Sequence, residues 1–141
     1  MSNSPQHELN SAVIHNLKQD RATEISSELL AKEIAEAADD KKAADIVLLN
    51  VSSISYLADY FVIATGFSTT QVKAICDSVE QQLEEKYQVV PLRVQGKTDG
   101  RWVVIDYGEV IVHILMEEER EYYDLEAFWG HAERAEYEPS S

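Results

Sequence analysis

One cysteine, four histidines and twelve basic residues stand among 141 positions, and each scarcity removes a class of function. Cys76 alone cannot close an intramolecular disulfide and has no neighbouring cysteine to complete a thiolate metal site, so the chain is expected in a reducing cytoplasm. His7, His15, His113 and His131 are scattered without an H-x-x-x-H spacing, so neither a metal site nor a cofactor is expected. Twelve Lys and Arg against 26 Asp and Glu leave a formal net charge of −14, which repels a phosphate backbone at long range. Direct, sequence-specific nucleic-acid binding is therefore not expected. No apolar run approaches the length of a membrane span, and Met1 to Asp20 has neither the apolar centre of a secretory signal nor the Arg-rich, acid-poor pattern of a transit peptide.

What is present suffices for one domain. Hydrophobic residues make up 45% of the chain, enough for a single core. Composition divides the chain into a disordered N-terminal tail over residues 1–20, a domain over residues 21–130 and an acidic C-terminal tail over residues 131–141. From Glu117 to Ser141 there are nine acids and two arginines, half of the net charge. Such a surface suits solubility or attraction to a basic protein.

Periodicity supplies the elements. From Thr23 to about Asp40, Ile25, Leu29, Leu30, Ile34, Ala37 and Ala38 form one helical stripe. Ile46 to Val51 and Tyr60 to Ala64 read as buried strands. After the Gly66-Phe67-Ser68-Thr69 break, Ser68 and Gln71 resemble a capping box, and Val72, Ile75, Cys76, Val79 and Leu83 continue as a helix stripe. Val89 to Val94 is a third strand, and the two glycines of Gln95 to Gly100 permit a turn.

Between Arg101 and Met116, two apolar runs flank Asp106-Tyr107-Gly108-Glu109, predicting a hairpin. A two-residue turn would set Ile105 opposite Val110, Val103 opposite Val112 and Trp102 opposite His113. Val103, Ile105, Val110, Val112 and Ile114 then form a wholly aliphatic face that belongs under the helices. The other face carries Trp102, Val104, Asp106, Glu109, Ile111, His113 and Leu115, a mixture suited to binding. A last helix, from about Glu118 to Trp129, aligns Tyr122, Leu125, Phe128 and Trp129 as a core stripe and rotates Tyr123 off it. The order α-β-β-α-β-β-β-α predicts an α/β sandwich with a mixed five-stranded sheet packed with helices.

Chemistry is sparse. Gly66-Phe67-Ser68 lacks any surrounding phosphate-binding motif and reads as a turn with a helix cap rather than a triphosphate cradle. Glu117-Glu118-Glu119 suits the positive end of a helix dipole better than paired-carboxylate catalysis. Cys76 on an apolar stripe is an inert core thiol. No catalytic residue is assigned. Trp102 on the mixed face, Tyr107 at the hairpin tip and Tyr123 off the core stripe are the aromatic anchors of an expected protein interface.

Seven stretches, Lys42 to Val47, Ala58 to Gly66, Val72 to Ile75, Gly100-Arg101-Trp102, Asp106-Tyr107-Gly108, Val110 to Ile114 and Tyr123 to Glu126, together resemble the ribosomal silencing factor family, also called iojap-related. The resemblance spans about residues 25–130. It implies a nucleotidyltransferase-like fold without the activity, a homodimer, and binding to the large ribosomal subunit through large-subunit ribosomal protein fourteen. Blocked association with the small subunit would then repress translation when nutrients are scarce. It implies Trp102, Tyr107 and Tyr123 in the contact, with Asp106, Gly108 and His113 beside them. Two rivals are a large-subunit assembly factor and a nucleotidyltransferase-like enzyme. The enzyme would need a D-x-D or D-x-E pair on the strand after the Gly-Ser helix, and Val89 to Val94 contains no acid.

Overall fold

A computed structural model describes residues 25–139, and the N-terminal tail expected over residues 1–20 lies outside the described residues. Helix α1 (Ser27–Asp39) starts where the Ser26 side chain accepts from the Leu29 amide, and turns Leu30, Ala31, Ile34, Ala35, Ala37 and Ala38 inward. Leu29, expected on that stripe, is exposed instead. Strands β1 (Ala44–Asn50) and β2 (Tyr60–Gly66) pair antiparallel. Helix α2 (Thr69–Tyr87) is capped by Ser68 and buries the expected stripe of Val72, Ile75, Cys76, Val79 and Leu83. It ends at Gln88, whose φ of 54° is left-handed.

Strands β3 (Arg93–Gln95), β4 (Trp102–Asp106) and β5 (Val110–Met116) follow, then helices α3 (Glu117–Tyr123) and α4 (Leu125–Phe128) and strand β6 (Glu133–Glu136). The sheet runs β3-β4-β5-β2-β1-β6, with β5 and β2 parallel and the other pairs antiparallel. Helices α1 and α2 cover one face. Between them and the sheet lies the main core, built from Ile46, Leu48, Val62, Ala64 and the aliphatic side of the β4–β5 hairpin. On the other face, Val47, Leu49, Val51, Phe61, Ile63 and Leu115 form a second cluster against Leu125 and Trp129.

Four expectations are corrected. The described residues hold six strands rather than five, because Glu133–Glu136, expected within the acidic tail, pairs with β1 at the sheet edge. Its all-exposed Glu-Arg-Ala-Glu pattern carries no apolar alternation for a sequence reading to detect. The third strand is shorter and later than Val89–Val94. The hairpin turn sits one residue further on, since the Tyr107 amide donates to the Val110 carbonyl, and Ile105 opposes Val112 rather than Val110. A two-residue change of register preserves which side chains share a face, and Val103, Ile105, Val110, Val112 and Ile114 are all fully buried on the helix side.

The last helix is the fourth correction. Asp124 adopts φ 44° and divides it into α3 and α4, with its carboxylate accepting from the Ala127 amide. This break rotates the two halves apart. Tyr122 is 81% and Phe128 79% exposed, so neither joins the core, whereas Leu125 and Trp129 pack on the second cluster.

Candidate functional site

Alternation along β4 points Trp102 away from the helices, and along β5 it does the same for His113. Trp102 opposes Leu115 rather than His113, yet its indole Nε1–H reaches diagonally to donate to His113 Nδ1 at 3.1 Å. An indole nitrogen can only donate, so Nδ1 must be the accepting, unprotonated nitrogen. Phe61 meets the His113 ring edge-on, with centroids 5.5 Å apart. Burial pushes the His113 pKa down from 6.5 to about 4, consistent with a neutral imidazole in an apolar setting.

Tyr123 completes an aromatic surface. At the end of α3 its ring lies over Trp102, centroids 4.7 Å apart, and Tyr122 meets it edge-on at 4.9 Å. The Trp102 and Tyr123 planes are tilted by 45°, and the edge-on meeting of Tyr122 with Tyr123 is a favoured arrangement for aromatic pairs. Trp102, His113 and Tyr123 are thus brought together as one patch, flanked by Glu118 and Glu119 in the first turn of α3.

Asp106 and Gly108 sit at the opposite end of the same strand, four to six residues away from Trp102. The Asp106 carboxylate accepts from the Gly108 amide at 2.8 Å, and Gly108 takes φ 87° in the turn, the expected positive value. Tyr107 does not join the patch. It shares the parity of Val103 and Ile105, so its ring turns towards the helix side and packs on the main core. Its hydroxyl is buried without a hydrogen-bond partner among the described residues, and burial, with Glu80 nearby, raises its pKa. Strand alternation, continued one residue pair past Ile105 into the turn, accounts for this inward orientation, which a position at the hairpin tip does not override.

Sequence reasoning missed the ionic supports of the patch. Arg101, just before β4, bonds to Glu118 and Glu119 on α3. Arg120, 12% exposed at its side chain, donates from Nη1 to Thr65 Oγ1 at 2.9 Å and from Nε to Glu126 Oε1 at 3.0 Å. Arg134 on β6 meets the other Glu126 oxygen at 3.1 Å. The available signal was that Arg120 and Arg134 are the only two basic residues in an otherwise acidic C-terminal stretch.

The Gly66–Ser68 turn and Cys76 make structural contacts of their own. At the start of α2 the Gln71 carboxamide accepts from the Phe67 amide at 2.7 Å while Ser68 Oγ accepts from the Gln71 amide, so this turn is capped by its own side chains. A Cβ at Gly66 would stand 2.8 Å from Val72 Cγ2, so that glycine serves close helix packing. Burial and the adjoining Glu80 push the Cys76 thiol up to about 12. Among the described residues, no group of three or more His, Cys, Asp or Glu is arranged to hold a metal ion, and no helix is long and apolar enough to cross a membrane.

Comparison with known proteins agrees in sequence and in fold. Residues 9–141 match the family described as ribosomal silencing factor during starvation. The chain is 42% identical over 107 residues to the ribosomal silencing factor RsfS of Bacillus subtilis, covering 76% of this chain and 90% of that protein. It is 40% identical over 114 residues to the RsfS of Halalkalibacterium halodurans, covering 81% of this chain and 97% of that one. A crystal structure of a protein from Chromobacterium violaceum superimposes with a TM-score of 0.73 at 36% identity, covering 82% of this chain and 92% of the other. The chain therefore belongs to the ribosomal silencing factor family.

Proposed function

We propose that this protein binds the large ribosomal subunit through large-subunit ribosomal protein fourteen and, by its bulk, blocks association with the small subunit, repressing translation when nutrients are limiting. The observation that carries the reading is the patch of Trp102, His113 and Tyr123 beside an acidic helix start, on a chain of net charge −14. Rigid aromatics supply contact area at low entropic cost, and the negative field draws in a basic ribosomal protein while opposing unsupported contact with ribosomal RNA. Asp106 and Gly108 extend the surface towards the hairpin tip. Tyr107 enters only through the part of its ring that remains accessible, supporting the tip from beneath.

On this reading the protein works by occupancy, without catalytic residues, metal or cofactor, in the cytoplasm and away from membranes. The self-capped α2 start and the absence of acids in β3 favour it over a nucleotidyltransferase. Off the ribosome the protein is a homodimer. Sedimentation of purified subunits tests the central claim: the protein should co-migrate with free large subunits and reduce joined ribosomes. Joining unaffected, with the protein absent from the large-subunit peak, would refute it. An assembly factor would instead leave immature large subunits when its gene is deleted.

A further inference from the structure

Helix α3 bears Tyr123 yet has no fully buried side chain of its own. It is seven residues long, buries none of them, and begins at Met116 without a side-chain cap. A helix that short does not persist in water without tertiary contacts. Apart from the Tyr123 ring on Trp102, the apolar contacts nearby belong to other segments: Leu125 and Trp129 fix α4 on the second cluster, beyond the left-handed break at Asp124. On α3 itself the most deeply set side chains are Glu119, paired with Arg101, and Arg120, whose guanidinium joins Thr65 of β2 to Glu126 of α4. Thr65 is buried, and Glu126 is shared with Arg134, so a chain of charges links β6 to α4, α3 and the centre of the sheet.

We infer that Arg120 is a positioning residue for the ribosome-contact surface: by clamping α3 onto Thr65 and Glu126 it holds Tyr123 against Trp102, and through Arg134 it makes the C-terminal strand a support of that surface. The inference rests on the function proposed above and adds a part to it. A planar guanidinium can serve two acceptors at once from fixed directions, which an ammonium or an alkyl chain cannot. Arg101, bonded to Glu118 and Glu119, restrains the first turn of the helix, whereas Arg120 stands a single turn from Tyr123 and governs its end.

The test uses the full chain carrying Arg120→Met. Nuclear Overhauser cross-peaks between the Tyr123 ring and the Trp102 indole should disappear, while the methyl shifts of Val103, Ile105 and Val112 stay native. A folded variant that keeps those cross-peaks would overturn the inference. If Arg120→Met does not fold, Arg134→Gln, at the exposed end of the chain of charges, should weaken the same cross-peaks, and unchanged intensities there would overturn the link to β6.

Binding of purified large subunits to the same proteins separates two failures. Arg120→Met should bind about tenfold more weakly, and adding Tyr123→Ala should cost nothing more, because both changes remove the same ring from the surface. Fully additive losses would mean that Arg120 acts on its own and would overturn positioning. Full affinity of Tyr123→Ala, together with a displaced Tyr123 ring in Arg120→Met, would remove the contact surface from the proposed function and leave the clamp as a structural fact.

Discussion

The two faces of the sheet are held by different physics. On the helix side, aliphatic side chains from α1, α2 and every central strand are excluded from water, and the lining is almost wholly apolar. Across the sheet, the apolar cluster is smaller, and Trp102, His113 and Tyr123 are oriented by one indole–imidazole hydrogen bond, ring contacts and arginine pairs. The first face closes the larger apolar core within the chain itself. The second leaves aromatic surface in reach of one, with enough polar restraint to keep it in a single arrangement.

The largest effect should come from breaking the helix side. Val103→Asp or Ile105→Asp places a charge where both residues are fully buried, and should cost about 4–5 kcal/mol or more and leave no cooperative thermal transition. Soluble variants with native melting would show that the two faces had been exchanged.

Acid should reveal the other side next. His113 has a folded pKa of about 4 against an ordinary 6.5, so the unfolded chain binds the extra proton first. Its contribution is intact above about 6.5 and is lost as pH falls from 6.5 to about 4, on the order of 3 kcal/mol. Protonation also puts a hydrogen on Nδ1 and breaks the bond from Trp102. Denaturant titrations between pH 7 and pH 5 should show this slope, and His113→Phe should flatten it; an unchanged slope in that variant would assign the proton uptake elsewhere.

Binding separates the faces further. Trp102→Ala should keep the main core folded, as judged by circular dichroism, while weakening attachment to large subunits by about 1–3 kcal/mol. Undiminished affinity would take the patch out of the interface. The smallest effect belongs to Tyr107→Phe. Deleting a buried hydroxyl that has no partner among the described residues should leave stability unchanged or raise it by about 1 kcal/mol in thermal melts, with ribosome binding unaltered. A clear loss of stability would mean that this hydroxyl does hold a partner.

These contrasts explain what could be read without coordinates. The α1 and α2 stripes and the two faces of the β4–β5 hairpin follow from periods of 3.6 and two, which local sterics impose on any chain, and the face assignment survives the change of register because the shift is even. Strand β6 was not legible, since a strand of Glu, Arg, Ala and Glu at a sheet edge owes its form to the β1 backbone beside it rather than to burial. Nor was the break at Asp124, because a helical period continues in sequence through a residue that tertiary contacts set left-handed.

For this protein, then, the sequence by itself determined the helix stripes, the aliphatic hairpin face, the acidic field and the family, all of which depend on local periodicity, summed charge or residue order. Only the tertiary structure decided that Tyr123 joins Trp102 and His113 on one surface, that Tyr107 turns inward, and that Arg120 reaches Thr65, 55 positions away. Those outcomes depend on which distant groups arrive at hydrogen-bonding distance, and charge pairing of that kind leaves no period in the chain.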